Sequence, residues 1–206
     1  MILLIRHGQT AANAAGLLLG RADPPLTELG RRQAAASANA VGEVTRVVTS
    51  PLRRARETAA AFGARVPVDV DQRWTELDYG EFEGRPFGEV PNETWQQWRH
   101  DPSYAPPGGE SLAALGVRVR DACDHLARHA GEGDIAVVSH VSPIKAAVAW
   151  ALGVHDTVAW RMFLDLAAIS RVAIGPPGPS LRGYNDTHHL ASLERVNGGR
   201  PEEASG

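Results

Sequence analysis

Apolar residues gather along this chain in short uninterrupted runs. Ile2–Ile5, Arg46–Thr49, Ile135–Ser139 and Ile169–Ile174 are the clearest. Runs of this length between polar residues read as buried strands. Helical patterns follow the first three. Thr27 is placed to cap a helix through Ala40. Ser50 with Pro51 opens a helix through about Phe62, and Ser142 with Pro143 opens one that stops at Gly153. Leu112, Leu115, Val119, Cys123 and Leu126 form a further helical stripe, on which Cys123 reads as a small buried apolar residue. Strands alternating with helices predict an α/β fold, a three-layer α/β/α sandwich around a mostly parallel sheet.

Between about Gly80 and Gly109 the periodicity breaks down. Glycines, prolines, Trp95 and Trp98 predict loops and a short helix over the C-terminal edge of the sheet. Binding specificity usually lives on irregular segments, so this excursion is the candidate substrate-shaping cap. No internal repeat or inter-domain linker is visible. The expectation is one domain over residues 1–190, with 191–206, ending GGRPEEASG, as a frayed tail.

Composition narrows the function classes. The 206 residues suffice for one domain with a full core, and 43% hydrophobic with 22% charged residues is a globular balance. A formal net charge of −3 argues against a general polyanion binder such as a nucleic-acid protein. Every side-chain cation except Lys145 is an arginine, so each arginine needs its own argument. The single cysteine fits a reducing compartment. The opening apolar run is too short for a signal peptide, and no run reaches the length of a membrane span. A cytoplasmic protein is the expectation. Nothing in the pattern sets an oligomeric state.

The strand ends carry the chemistry. Ile2–Ile5 runs into Arg6-His7-Gly8, Arg46–Thr49 into Ser50-Pro51-Leu52-Arg53-Arg54, and Ile135–Ser139 into His140. Ligands of an open parallel sheet bind beyond the carboxyl ends of its strands. Two histidines and several arginines at one edge suit a phosphate dianion. Arginine offers a planar fork to two oxygens, and a helix N-terminus offers free N–H groups. Gly8 lets the main chain approach a ligand. A neutral His7 can attack phosphorus through a ring nitrogen, and nearby cations favour its neutral form. His140 is placed to donate to phosphoryl oxygens. A general acid is also required, and the residues alone do not separate Glu76 from Asp78, Glu81 or Glu83. His100, His125, His129, His155, His188 and His189 read as structural or solvated. No spacing suggests a zinc site, a G-x-S-x-G elbow at Ser139 or a nucleotide-phosphate loop, so neither metal nor cofactor is expected.

These motifs carry a resemblance. Arg6-His7-Gly8-Gln9-Thr10-Ala11-Ala12-Asn13 resembles the RHG-x-T-x-x-N signature of the histidine phosphatase (phosphoglycerate mutase-like) superfamily. Asp23-Pro24-Pro25-Leu26-Thr27 with Gly30, Ser50–Ala55 with Thr58-Ala59, Glu76–Gly84, Pro107–Ser111, Val137–His140 and Asn185–Leu190 follow in the family's order. The resemblance implies His7 as the phosphorylated nucleophile, Arg6 and His140 as phosphate ligands, and Arg54 rather than Arg53 as the family arginine. It further implies Thr10 and Asn13 as phosphate or substrate contacts and Glu76 as the proton donor.

One position departs from the pattern: Val141 follows the second histidine, where most relatives have glycine. The Val141-Ser142-Pro143-Ile144-Lys145 wording is similar to small phosphatases related to α-ribazole phosphatase, including the phosphatase half of ribonuclease H fusions. No ribonuclease H segment precedes Met1, so that activity is not expected. The implied function is hydrolysis of small-molecule phosphate monoesters, with α-ribazole phosphate and sugar phosphates among the candidates. The alternatives are a phosphoglycerate mutase and a non-catalytic phospholigand-binding module.

Overall fold

The computed structural model describes residues 1–129, 131 and 133–193; the expected tail falls outside them from residue 194 onward. One six-stranded sheet holds β1 (Ile2–Arg6), β2 (Arg46–Thr49), β3 (Val68–Val70), β4 (Ile135–Ser139), β5 (Ile169–Gly175) and β6 (Gly178–Asp186) in the order β3-β2-β4-β1-β5-β6. β1 to β4 run parallel, β5 is antiparallel to β1, and β6 is antiparallel to β5.

The helices are α1 (Ala11–Ala14), α2 (Glu28–Val41), α3 (Arg53–Ala59), α4 (Asn92–His100), α5 (Leu112–Ala127) and α6 (Val141–Leu152). Alternation along β1 explains the layers, because successive side chains leave opposite faces of a sheet. Ile2 and Leu4 pack with Leu115, Val119 and Cys123 of α5 and with Ile144 and Val148 of α6. Leu3 and Ile5 pack with Ala55 and Ala59 of α3. The three-layer sandwich follows from strands that are apolar on both sides.

Two helix starts differ from expectation. α3 begins after Leu52, with no side-chain cap, and a 3₁₀ turn carries it on to Phe62. The Ser50 hydroxyl is instead within 2.7 Å of His140 Nε2. α6 begins at Val141 with His140 at the cap position, so Ser142 and Pro143 lie inside its first turn. There the Glu76 carboxylate accepts the N–H groups that a serine cap would otherwise answer. Thr27 caps α2 as expected, with its side chain accepting from Gly30 N.

The apolar pattern does not predict β3 and β6. β3 is three exposed residues at the sheet edge, and β6 is interrupted by Gly178, Pro179 and Gly183. Backbone pairing with β2 and β5 makes them strands, and they bury no apolar run a sequence could reveal.

The excursion after Gly80 forms short 3₁₀ turns and α4. It has its own small core of Leu18, Phe82, Val90 and Trp98, with Trp95, Tyr104 and Trp160 packed against it. No described helix is long and apolar enough to cross a membrane.

Candidate active site

Parallel register brings the site together. Arg6 pairs with Ser139 across β1 and β4, so His7 and His140 leave neighbouring strands at the same level. Their ring centroids are 5.1 Å apart. Thr49 pairs with Val138, which places Ser50 beside the same two residues. Arg54, fully buried in the first turns of α3, completes the group.

The hydrogen bonds fix the histidine tautomers. His7 Nδ1 lies 2.7 Å from the Gly8 carbonyl. A carbonyl only accepts, so Nδ1 carries the proton and Nε2 presents a lone pair. Arg54 Nε donates to that Nε2 at 3.3 Å and to His140 Nδ1 at 3.2 Å. His140 then carries its proton on Nε2 and donates to Ser50 Oγ. Burial, followed by the charges of Arg54 and Arg6, pushes His7 well below the ordinary imidazole range. Burial and Arg54 do the same at His140. Both rings are neutral at neutral pH.

Arg54 is held by main-chain acceptors. Its two terminal nitrogens donate to the carbonyls of Ala22 and Gly20 at 2.7 and 2.8 Å. The Glu83 carboxylate secures that loop by accepting from Gly20 N and Arg21 N. Arg53, by contrast, is exposed and pairs with Glu57. Arg6 donates to the Leu164 carbonyl at 2.6 Å, its Nε is buried without a partner, and burial lowers its pKa to about 10. Thr10 and Asn13 form a reciprocal cap on α1. Gly8 has a reason beyond ligand approach: a Cβ there would meet the Gly30 carbonyl at 2.3 Å, and its N–H is already given to Thr58 Oγ1.

Glu76 stands apart from the other carboxylates. Its Oε1 accepts from Leu77 N and Ser142 N, and its Oε2 from Val141 N. The two oxygens offer about four lone-pair sites, so one on Oε2 is left. Asp78 closes a turn with Gly80 N. Arg118 of α5 reaches the carbonyls of Arg73 and Glu76 and so ties this segment down. Ser139 donates to the Trp74 carbonyl and is no nucleophile.

A cavity of about 640 Å³ is lined by Arg6, Asn13, Val141, Lys145, Phe87 and Phe163 among others. His7, Arg54 and His140 are buried, at 3%, 0% and 0% exposure. The sequence reading missed Ser50 as a partner of His140, Thr58 and Glu83 as supports, and Lys145 as a lining residue. Ser50, Thr58 and Glu83 lay inside the motifs quoted above without a role of their own, and Lys145 stood out as the lone lysine among arginines. Among the described residues, no group of three or more His, Cys, Asp and Glu side chains is placed to hold a metal ion.

Known proteins resemble this chain in sequence and in fold. The profile of the histidine phosphatase superfamily (branch 1) matches residues 2–187. A bifunctional protein of Mycobacterium tuberculosis is 38% identical over 198 residues, covering 92% of this chain and 54% of its own length. The chain thus spans about half of that relative. A protein of Yersinia enterocolitica named as a probable phosphoglycerate mutase is 33% identical, with 83% of each chain covered. A mutant phosphoserine phosphatase from Entamoeba histolytica, solved in complex with phosphoserine, superposes with a TM-score of 0.85. It is 26% identical, covering 92% of this chain and 98% of that one.

Proposed function

The chain belongs to the histidine phosphatase superfamily, branch 1, and from that membership we propose that it hydrolyses small-molecule phosphate monoesters through a covalent phosphohistidine on His7. The observation that carries this is the Nε2 lone pair of a neutral, buried His7 directed at Arg54, with His140 on the other side of the same guanidinium.

In the first step His7 Nε2 forms a bond to phosphorus as the bond to the ester oxygen breaks. Arg54 turns its long contact with His7 to a phosphoryl oxygen, and Arg6 supplies the second cation. Asn13, Thr10 and Gly8 complete the phosphate-side wall, and His140 steadies the charge that develops on the transferring group. Glu76, through its remaining Oε2 position, protonates the departing alkoxide. In the second step water attacks phosphorus, the P–N bond breaks, and Glu76 takes the water's proton. Inorganic phosphate leaves and His7 is restored.

Hydrolysis is favoured over a mutase cycle because the cavity mouth is open to water: Phe87 and Phe163 are 54% and 72% exposed. Residues 80–109 are assigned as the cap on the strength of Phe87, which reaches the cavity from that segment. The reading extends to a cytoplasmic enzyme without nucleic-acid or membrane partners, supported by the net charge of −3 and the lone buried Cys123.

The test is phosphate release from p-nitrophenyl phosphate in EDTA. We expect turnover, with His7→Ala reducing it by at least a thousandfold. Undiminished activity in His7→Ala would remove His7 from the chemistry. Interconversion of 3- and 2-phosphoglycerate without phosphate release would replace the hydrolase by a mutase.

A further inference from the structure

Lys145 is the only lysine in the chain, in a protein that otherwise uses arginine for every side-chain cation. It sits one turn into α6, five residues after His140. At 1.5 Å per residue its Cα is roughly 7.5 Å along the helix axis from that of His140. Helical side chains lean toward the N-terminus, so Lys145 lies over Val141 and reaches back toward the site. Both residues line the large cavity that also contains Arg6. They also line an apolar cavity of about 160 Å³ with Phe87, Leu77 and Trp160. The aliphatic stem of Lys145 therefore has apolar company, and its ammonium is left to the cavity.

That ammonium has no internal answer. Among the described residues it makes no hydrogen bond or ion pair; burial disfavours its charge, Glu76 supports it from a distance, and Arg6 opposes it. The two carboxylates of this region hydrogen-bond to other groups and make no ion pair with Lys145. Asp165, on the cavity wall, is bound to the Asn185 amide at 2.7 Å. Glu76 is engaged by the three backbone N–H groups of Leu77, Val141 and Ser142. A partly buried ammonium beside a phosphate site, passed over by both, is placed for an anion brought by the ligand.

We propose that Lys145 determines specificity by receiving a second anionic group of the substrate, carboxylate or phosphoryl, so that the enzyme prefers phosphomonoesters that carry one. The proposal rests on the phosphatase reading above, with the ester phosphate at His7 and the second anion at Lys145.

The experiment compares kcat/KM within matched pairs. 3-Phosphoglycerate against glycerol 3-phosphate differs by a carboxylate in place of a hydroxymethyl group. Glucose 1,6-bisphosphate against glucose 6-phosphate differs by a second phosphoryl group. We expect the wild type to favour the doubly anionic member of at least one pair. Lys145→Met, which keeps the stem, should lower that preference about tenfold to a hundredfold, mostly through KM. Lys145→Arg should retain most of it. The responsive pair identifies the second anion. A preference that Lys145→Met leaves in place, an absence of preference in both pairs, or equal losses on both members of a pair overturns the proposal; equal losses would mark an effect of Lys145 on Glu76 chemistry instead. Any of these with phosphate still released leaves the phosphatase reading standing. No turnover of any ester overturns both.

Discussion

At the scale of single residues, the site separates groups that share a chemical type. Four carboxylates lie between residues 76 and 83, and three of them serve the fold or face solvent. Asp78 closes a turn, Glu83 holds the loop whose carbonyls hold Arg54, and Glu81 is exposed. Glu76 alone is both buried and turned to the N-terminus of α6. Its assignment as proton donor makes a specific prediction. Glu76→Gln should slow alkyl phosphates, whose alkoxides leave poorly, by about 10²–10⁴-fold. p-Nitrophenyl phosphate, whose leaving group needs little protonation, should lose far less. Equal slowing of both substrates would move the acid role to another group. The same scale accounts for the two arginines of the Arg53-Arg54 pair: one faces solvent and the other is clamped by two carbonyls.

At the scale of elements, close approach between main chains positions His7, the proposed nucleophile. Residue 8 lies two positions past the end of β1 and passes α2 at Gly30, where a Cβ on either glycine would meet backbone. Gly8→Ala should therefore destabilise the protein by about 1–3 kcal/mol, read from urea unfolding at neutral pH. A change within about 0.5 kcal/mol, the usual range of an unconstrained substitution, would show that the β1–α2 approach is not a constraint. This contact was not legible in the sequence, where Gly8 reads as room for a ligand, because nothing local announces a neighbour as far along the chain as Gly30. β1, β2, β4 and β5 were legible because each carries a run that both core faces demand. β3 and β6 were not, since edge strands exist by pairing. The cap positions at Ser50 and Ser142 misled for a related reason. A serine before proline is a good helix start, but here the Glu76 carboxylate and the His140–Ser50 bond claim those groups first.

At the scale of the whole molecule, burying two neutral imidazoles between arginines couples stability to pH. The native values of His7 and His140 lie well below 6.5, whereas the unfolded chain titrates near 6.5. Below pH 6.5 the unfolded state therefore binds more protons, so stability falls as pH falls and is complete above that range. The loss should therefore set in as pH falls through about 6.5 and continue toward pH 5. His189, also lowered by burial, adds with the same sign. His7→Ala should show a shallower loss than the wild type in urea unfolding compared between about pH 7 and about pH 5. Equal losses would mean that His7 is not held neutral by the fold. The neutrality of that ring is what would allow it to act as the proposed nucleophile, so the most direct test is to catch the phosphoryl group on it. Turnover of a ³²P-labelled monoester, quenched rapidly without acid and mapped by mass spectrometry, should place an acid-labile phosphoryl group on His7. Label on any other residue, or none in a preparation that is turning over, would contradict the account.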